Sequence, residues 1–356
     1  MKSLHILGSK EMGGAERWLL RFVAAMQRAG EDIEVAVRRG SELDRHHLHD
    51  VPKRTAGMRT VWDPFSRWEL SRLIADSGAP IVQTYMGRAT RLTHVKRGRG
   101  QVHLSRLGGY YKLDPFRHAH AWIGNTRGLC DWMIAGGLPA DRVFHITNFA
   151  DPAKPADPEA LEVLRRELAV QPEDWLMVTA GRLIDVKGHA TLIEAMRQLP
   201  AELDGKRLRL ILLGDGPLRE TLERQVAEAG LTSRVHFAGW QQDPAPWFHL
   251  ADMVVFPSRD RETLGNVILE AWAYGKPLAC TAFRGAREIA RHGEDALVSP
   301  CDDAAPLAAH MREIIDNPAL QRQLIEHGLR RIEHDFGERV IIDQYRALYA
   351  QLLDNR

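Results

Sequence analysis

Short aliphatic runs alternate with helical stretches along almost the whole chain, and the alternation starts twice. In the first half the strand-like runs are LHILG (4–8), IEVAV (33–37), IVQT (81–84), VHLSR (102–106), AWIG (121–124) and VFHIT (143–147). Amphipathic helices are expected at 15–29, 67–77, 88–97 and 128–136. The stretch NFADPAKPADPE (148–159), with Pro152, Pro155 and Pro158, reads as a connector. Beyond it the pattern resumes with LMVTAG (176–181), LRLILLG (208–214), VHFAG (235–239), MVVFP (253–257), PLAC (277–280) and ALVS (296–299). Helices are expected there at about 189–199, 217–229, 265–274, 303–316 and 318–334. Such alternation predicts parallel strands joined by crossover helices. The expected fold class is therefore α/β, with two facing Rossmann-like, doubly wound domains, 1–150 and 151–337, and a cleft between them. A final helix over about 338–353, after a break at Gly337, is a candidate to cross back to the first domain. A length of 356 residues suits two domains of ordinary size. Ligands of open parallel sheets sit at the carboxyl ends of the strands, so the loops that follow the strands carry the functional question.

Composition narrows the classes. With 44% apolar and 27% charged residues, the chain is that of a globular protein. No apolar run approaches the roughly 20 residues that span a bilayer. The run WLLRFVAAM is broken by Arg21, and MKSLHILGS enters a strand directly, so no signal peptide is expected. Cys130, Cys280 and Cys301 lack CxxC spacing, which argues against a disulfide framework or structural zinc and for a reducing cytoplasm. Charge is uneven. Residues 1–150 carry 23 Lys and Arg against 14 Asp and Glu, a balance of +9, while 151–356 carry 25 against 33, a balance of −8. A basic half suits an anionic membrane surface, nucleic acid or a phosphorylated acceptor, and equally suits arginines serving a phosphate site. His46, His47 and His49 lie in a polar stretch with no supporting Cys, so they are not taken as a metal cluster.

Four post-strand segments carry chemistry. GSKEMGGAER places Gly8, Gly13 and Gly14 between the first strand and its helix, where backbone amides can approach an anion, although glycine-rich turns are common there. GRLIDVKGH sets Arg182 and Lys187 just past a strand end, beside Gly181 and Gly188; an arginine fork and a movable ammonium suit a diphosphate. LLGDGPLRETLE reads as a well-made strand–turn–helix connection with a structural role. RDRETLGNVILEAWAYGKPL brackets an apolar helix with Glu262 and Glu270. With a helix starting around Leu264–Gly265, Glu270 lies about two turns in, which separates the carboxylates by roughly 10–12 Å along the axis. Carboxylates accept paired hydroxyls well, so one suits a sugar and the other a ribose, with phosphates over the helix start; capping or internal hydrogen bonding are the plainer readings.

In this order and spacing, GGAER, GRL…KG, GDGPLRETLE, VHFAG and RETLGNVILEAWAYGKPL resemble the retaining GT-B glycosyltransferases of family 4. The resemblance spans essentially the whole chain and is dense from Thr179 to Val298. It implies that Arg182 and Lys187 bind the donor diphosphate, that Glu262 contacts the transferred sugar, and that Glu270 contacts the ribose. Gly13, Gly14 and the amides of Leu264, Gly265 and Asn266 would line the sugar–phosphate site, with Gly239, Trp240 and Gln241 bordering the base. Gly108, in SRLGGYYKL, stands where many members carry a His against the donor sugar, and Leu264 stands where members with EGFG carry an aromatic. Arg106, Gly108, Tyr110 and Tyr111 are assigned to the acceptor side, with Arg106 or a substrate hydroxyl as the candidate substitute for that His.

The implied function is metal-independent transfer of a hexose, with retention, from a nucleoside diphosphate sugar to a saccharide or lipid-linked glycan of a surface polysaccharide such as lipopolysaccharide. A UDP-sugar is placed ahead of a GDP-sugar, although Trp240 does not distinguish the bases. No cofactor is expected: there is no DxD, the nearest sequence being Asp260-Arg261-Glu262. The stretch RATRLTHVKRGRG, with Arg88, Arg91, Lys96, Arg97 and Arg99, suggests contact with the inner face of a cytoplasmic membrane. Two readings compete: a nucleotide-sugar epimerase, and a non-catalytic nucleotide-sugar-binding protein. Nucleic acid is not an expected partner, given a pI near 7.9.

Overall fold

A computed structural model describes residues 1–45, 48, 51–96, 98 and 100–354, and the chain divides into two compact units. The first comprises Met1–Asn148 together with Glu338–Arg356. Its strands are β1 (Lys2–Leu7), β2 (Asp32–Arg38), β3 (Lys53–Ala56), β4 (Ile81–Tyr85), β5 (Val102–Leu107), β6 (Ala121–Gly124) and β7 (Val143–His145). They lie in the order β3-β2-β1-β4-β5-β6-β7 and pair in parallel throughout. The strand order reverses between β1 and β4, which is the switch point of a doubly wound sheet.

The second unit, Phe149–Gly337, repeats the winding. Its strands are β8 (Asp174–Ala180), β9 (Glu202–Leu203), β10 (Lys206–Leu213), β11 (Val235–Gly239), β12 (Met253–Phe256), β13 (Leu278–Thr281) and β14 (Leu297–Ser299). The order is β11-β10-β8-β12-β13-β14, parallel, with the short β9 antiparallel on β10. Its switch point lies between β8 and β12. Both units are thus Rossmann-like α/β domains, as the alternation predicted. Strands covered by helices on both faces are buried on both faces, which is why Leu208–Leu213 and Met253–Phe256 read as nearly continuous aliphatic runs.

The first sheet is different, because its middle carries polar side chains. His5 shares hydrogen bonds with Ser3 Oγ at 3.0 Å and Tyr85 Oη at 2.9 Å. Gln83 Nε2 donates to Tyr85 Oη at 2.7 Å, and Tyr349 Oη donates to Gln83 Oε1 at 2.8 Å. Tyr349 belongs to the C-terminal helix Glu338–Asp354, which lies in this first unit and buries Ile341, Tyr345, Leu348 and Leu352 as well. A buried ladder in which each polar atom has a partner fixes the register of that helix as apolar contacts alone do not.

Burial keeps His5 neutral and lowers its pKa to about 3. An unfolded histidine titrates near 6.5, so the unfolded state takes up the proton first. The stability this group supports is fully present above about pH 6.5 and is lost as pH falls toward 3. Between pH 7 and 5 the loss amounts to about 2 kcal/mol. Urea unfolding followed by tryptophan emission should show a lower midpoint at pH 5; a midpoint that does not move contradicts the account.

Several elements differ from the sequence expectation. The helix expected over 88–97 runs Met86–Leu92, and His118 Nε2 donates to the carbonyls of Thr90 and Thr93 at its end, at 2.9 and 2.8 Å. The proline-rich connector contains the start of a helix, Pro158–Glu167, whose cap is Asp157, accepting from the amides of Glu159 and Ala160. Strand β3 and the short helices Glu42–Arg45, Ala245–Leu250 and Ala286–Ile289 also lie outside the expected elements. His46, His47, His49, Arg97 and Arg99 lie outside the described residues.

Candidate active site

The switch point of the second sheet puts the loops after β8 and β12 side by side. Leaving β8, the chain passes Gly181 and Arg182 and makes a 3-10 turn, Asp185–Lys187. Leaving β12, it passes Pro257 and Ser258 and turns at 259–262, where Glu262 N–H donates to Arg259 O at 2.9 Å. These loops are stitched together. Arg259 N–H donates to Val186 O at 2.9 Å, and Asp185 accepts from Arg261 at 2.7 Å and from Arg259. Arg259 Nε also reaches Asp302 at 2.7 Å. Gly188 closes the join: its φ is 65°, and a Cβ there would lie 1.9 Å from the Pro257 carbonyl oxygen.

The stitching sets Lys187 Nζ 2.6 Å from Glu262 Oε2, with the side chains 21% and 15% exposed. Ser258 Oγ lies 3.5 Å from the same carboxylate oxygen, and the ammonium stands 5.2 Å from the centre of the Phe256 ring. Fully exposed ion pairs contribute only about 0–1 kcal/mol, and this half-buried one is not the main source of the unit's stability. Its consequence is positional. An ammonium has three N–H donors, so one lysine can hold a carboxylate and phosphate oxygens together.

Gly265, with φ of 77°, caps the helix Asn266–Ala273 without a side-chain hydrogen bond. A Cβ there would come within 2.5 Å of Phe283 and 2.7 Å of Phe256, so the residue must be glycine. The first-turn amides of any α-helix lack intrahelical acceptors and carry the positive end of its dipole. Leu264 is buried against Phe256 and Phe283, so its side chain serves the core and only its backbone is offered to a ligand. Glu262 precedes the helix, whereas Glu270 is within its second turn and half-buried. The helix thus starts where the sequence placed it, around Leu264–Gly265.

The remaining second-unit candidates follow β8 and β11. Arg182 is exposed and its carbonyl accepts from Ile184 N–H at 2.8 Å. Gly239 ends β11, the outermost strand, and Trp240 beyond it is 59% exposed. Gln241 Nε2 donates to Ala238 O at 2.6 Å, turning its side chain back on its own loop.

Gly13, Gly14, Arg106, Gly108, Tyr110 and Tyr111 belong to the first unit, and Gly13 and Arg106 have partners within it. The Gly13 amide donates to Glu16 Oε2 at 2.8 Å, and Ser9 Oγ bonds the other oxygen of the same buried carboxylate. The anion at this helix start is the protein's own, which disfavours a phosphate at Gly13; Gly14 has open space around it. Arg106 is 5% exposed: its guanidinium donates to Tyr345 Oη at 2.9 Å and to Asn148 Oδ1, and lies 4.4 Å from the Trp18 ring centre. It is a clamp inside the first unit, with two of its hydrogen bonds spent on the protein's own groups. Tyr110 packs edge-on against Trp132, and the exposed Tyr111 stacks on Phe116. In the basic stretch, Arg88 is used internally, donating to the carbonyls of Met58 and Arg59 at 2.9 and 2.6 Å.

Gly108 is exposed, and a Cβ there meets nothing nearer than Arg106 Nη1 at 3.9 Å. Gly108→His should therefore fold with stability within about 1 kcal/mol of the parent. A larger fall in thermal unfolding would contradict that open site.

Reading the sequence missed the second rank of the site. Asp185, Arg259 and Arg261 look like solvated charges in DVKGH and SRDRET, and Ser258 looks like a strand-end residue. The signal for Glu16 was available as its three-residue spacing from the Gly13 cap. Among the described residues no group of three or more His, Cys, Asp or Glu could hold a metal ion.

Comparison with known proteins bears on this geometry. The profile of the glycosyl transferases group 1 family matches residues 162–331. The lipopolysaccharide core biosynthesis glycosyltransferase LpsD of Rhizobium meliloti (strain 1021) is 31% identical over 358 residues, covering 98% of each chain. LpsE of the same organism, another lipopolysaccharide core biosynthesis glycosyltransferase, is 29% identical and covers 98% of this chain and 99% of its own. The crystal structure of Anabaena HepE in complex with UDP and glucose aligns with a TM-score of 0.82 at 21% identity, covering 99% of this chain and 100% of HepE. Fold and relatives together define a glycosyltransferase of the GT-B class. The chain belongs to the glycosyl transferases group 1 family. These likenesses favour neither an epimerase nor a non-catalytic binder.

Proposed function

We propose that the protein transfers a hexose, with retention of anomeric configuration, from a nucleoside diphosphate sugar to a saccharide acceptor of lipopolysaccharide core or a related lipid-linked glycan. The observation that carries the reading is the meeting of Lys187 and Glu262 at the switch point beside a helix start capped by Gly265 without a side-chain hydrogen bond. UDP is placed ahead of GDP, a choice supported by the nucleotide in HepE; the acceptor class is supported by the names of LpsD and LpsE.

In this mechanism the diphosphate lies against the first-turn amides of Asn266–Ala273, with Lys187 and Arg182 on its oxygens. Charge grows on the leaving phosphate as the glycosidic bond breaks, and preorganised donors aimed at that charge lower the barrier. Lys187 and Arg182 supply that stabilisation in a metal-independent transfer. Glu262 accepts from sugar hydroxyls and orients the ring, and Glu270 accepts from the ribose. The acceptor hydroxyl attacks from the face that the phosphate leaves, and its proton passes to the departing phosphate oxygen.

Thermal-shift measurement against UDP, GDP and ADP, followed by product analysis with the corresponding hexoses, tests the reading. The expected result is stabilisation by UDP and release of UDP only as a saccharide product forms. Conversion of the donor alone to an isomeric nucleotide sugar, or no shift with any nucleoside diphosphate, would refute it.

A further inference from the structure

The most exposed large apolar side chains of the described chain are gathered in one short segment. Trp62, Phe65 and Trp68 are 71%, 79% and 62% exposed. Phe65 and Trp68 stand on the helix Pro64–Ser77, one turn apart, and Trp62 stands in the turn before its cap, Asp63. This helix already has a core-facing side, where Leu70, Leu73 and Ile74 are buried. Its outer face is thus a second apolar face, which a helix packed only against its own domain does not need. Aromatic side chains this exposed do not line a concavity, so the face is unlike a saccharide or nucleotide pocket.

Cations surround the aromatics. The Arg91 guanidinium lies 3.5 Å from the centre of the Trp62 ring, and Arg72 lies 5.8 Å from that of Trp68. Arg67 is exposed between Phe65 and Trp68. Of the nearby acids, Glu69 pairs with Arg39 and accepts from Gly57 N–H, while Asp63 stays ionised and accepts from Phe65 N–H and Ser66 Oγ, so the cations outnumber the unpaired anion. Asp76 faces Arg72 at 3.9 Å. What remains is an apolar aromatic ridge edged by positive charge, in the half of the sequence with a balance of +9, 23 basic against 14 acidic residues. Tryptophan and arginine side by side match the headgroup level of a bilayer, where rings enter the acyl boundary and guanidinium groups meet anionic lipid.

We infer that the Trp62–Phe65–Trp68 ridge, with Arg67 and Arg91, is the surface by which this protein docks on an anionic lipid bilayer. The inference deepens the proposed function, since it rests on reading the acceptor as a glycan held at a membrane. It also relocates the contact expected from the basic stretch: Arg88 faces inward, and Arg91 joins the aromatic ridge.

Co-sedimentation of the full chain with vesicles of phosphatidylglycerol and phosphatidylcholine, and with phosphatidylcholine alone, is the test. The wild type is expected to pellet with the anionic vesicles and far less with the neutral ones. The Trp62→Ser/Phe65→Ser/Trp68→Ser variant should bind at least about tenfold more weakly. Arg67→Glu/Arg91→Glu should weaken binding by about fivefold or more for each cation lost. A wild type that stays in the supernatant, or serine and glutamate variants that pellet like it, would overturn the inference. So would a concentration-dependent dimer that disappears in the serine variant, because the ridge is then a self-interface. Donor turnover on a soluble saccharide should be unchanged in both variants. If turnover is absent from all proteins while vesicle binding behaves as stated, the transferase reading fails and the docking surface stands.

Discussion

Lys187→Ala lowers kcat for sugar transfer by about 10²–10³-fold, the expected result of removing one preorganised donor from a charge-developing oxygen. Lys187 is half-buried at a loop surface and tied to the fold chiefly by its own turn, so far-UV dichroism and the unfolding temperature should barely change. The companion variant separates roles. Glu262→Ala keeps the ammonium but removes the acceptor for sugar hydroxyls, so it should lower kcat strongly while UDP still raises the unfolding temperature. Lys187→Ala should weaken that UDP response as well. Lys187→Arg should not restore the rate, because a longer planar fork cannot take the place of a compact ammonium 2.6 Å from the Glu262 carboxylate. Transfer at the parental rate in both alanine variants would end the assignment of this pair to the reaction.

Arg106→Ala is expected to act on stability. Its guanidinium satisfies Tyr345 Oη and Asn148 Oδ1 and covers the Trp18 ring, all within the first unit. Each hydrogen bond to a charged group contributes about 1.5–3 kcal/mol, and truncation also leaves a cavity and unpaired polar atoms. A loss of about 3–5 kcal/mol follows, read as a lower urea midpoint. Arg106→Lys should recover only part of it, since an ammonium cannot make both bonds of the fork while lying flat on the indole. Because Tyr345 lies on the C-terminal helix, that helix should also exchange its amides faster in the alanine variant. Unchanged stability with loss of transfer would instead return Arg106 to the acceptor side.

The fold was largely legible because its signal is local. Buried runs such as LRLILLG and MVVFP announce parallel strands wherever they occur. Elements that lack such a signal escaped: β3 is the polar Lys53–Ala56 at a sheet edge, and the helix beginning at Pro158 was hidden by prolines, one of which is a good first helical residue. The candidate residues were legible by their position. Arg182, Lys187, Glu262 and Gly265 stand after strands, where ligands of such sheets bind. Their supports were not, since Asp185 between Arg259 and Arg261 looks in sequence like ordinary surface charge.

The sequence by itself determined the winding of two α/β sheets and the residue types offered at their carboxyl ends, because periodicity and post-strand position are properties of neighbouring residues. Only the tertiary structure decided that Lys187 meets Glu262 across 75 positions, that Glu16 occupies the Gly13 helix start, and that Arg106 turns inward. Which strands become neighbours, and which polar atoms must find partners once buried, depends on contacts between distant segments that no local pattern contains.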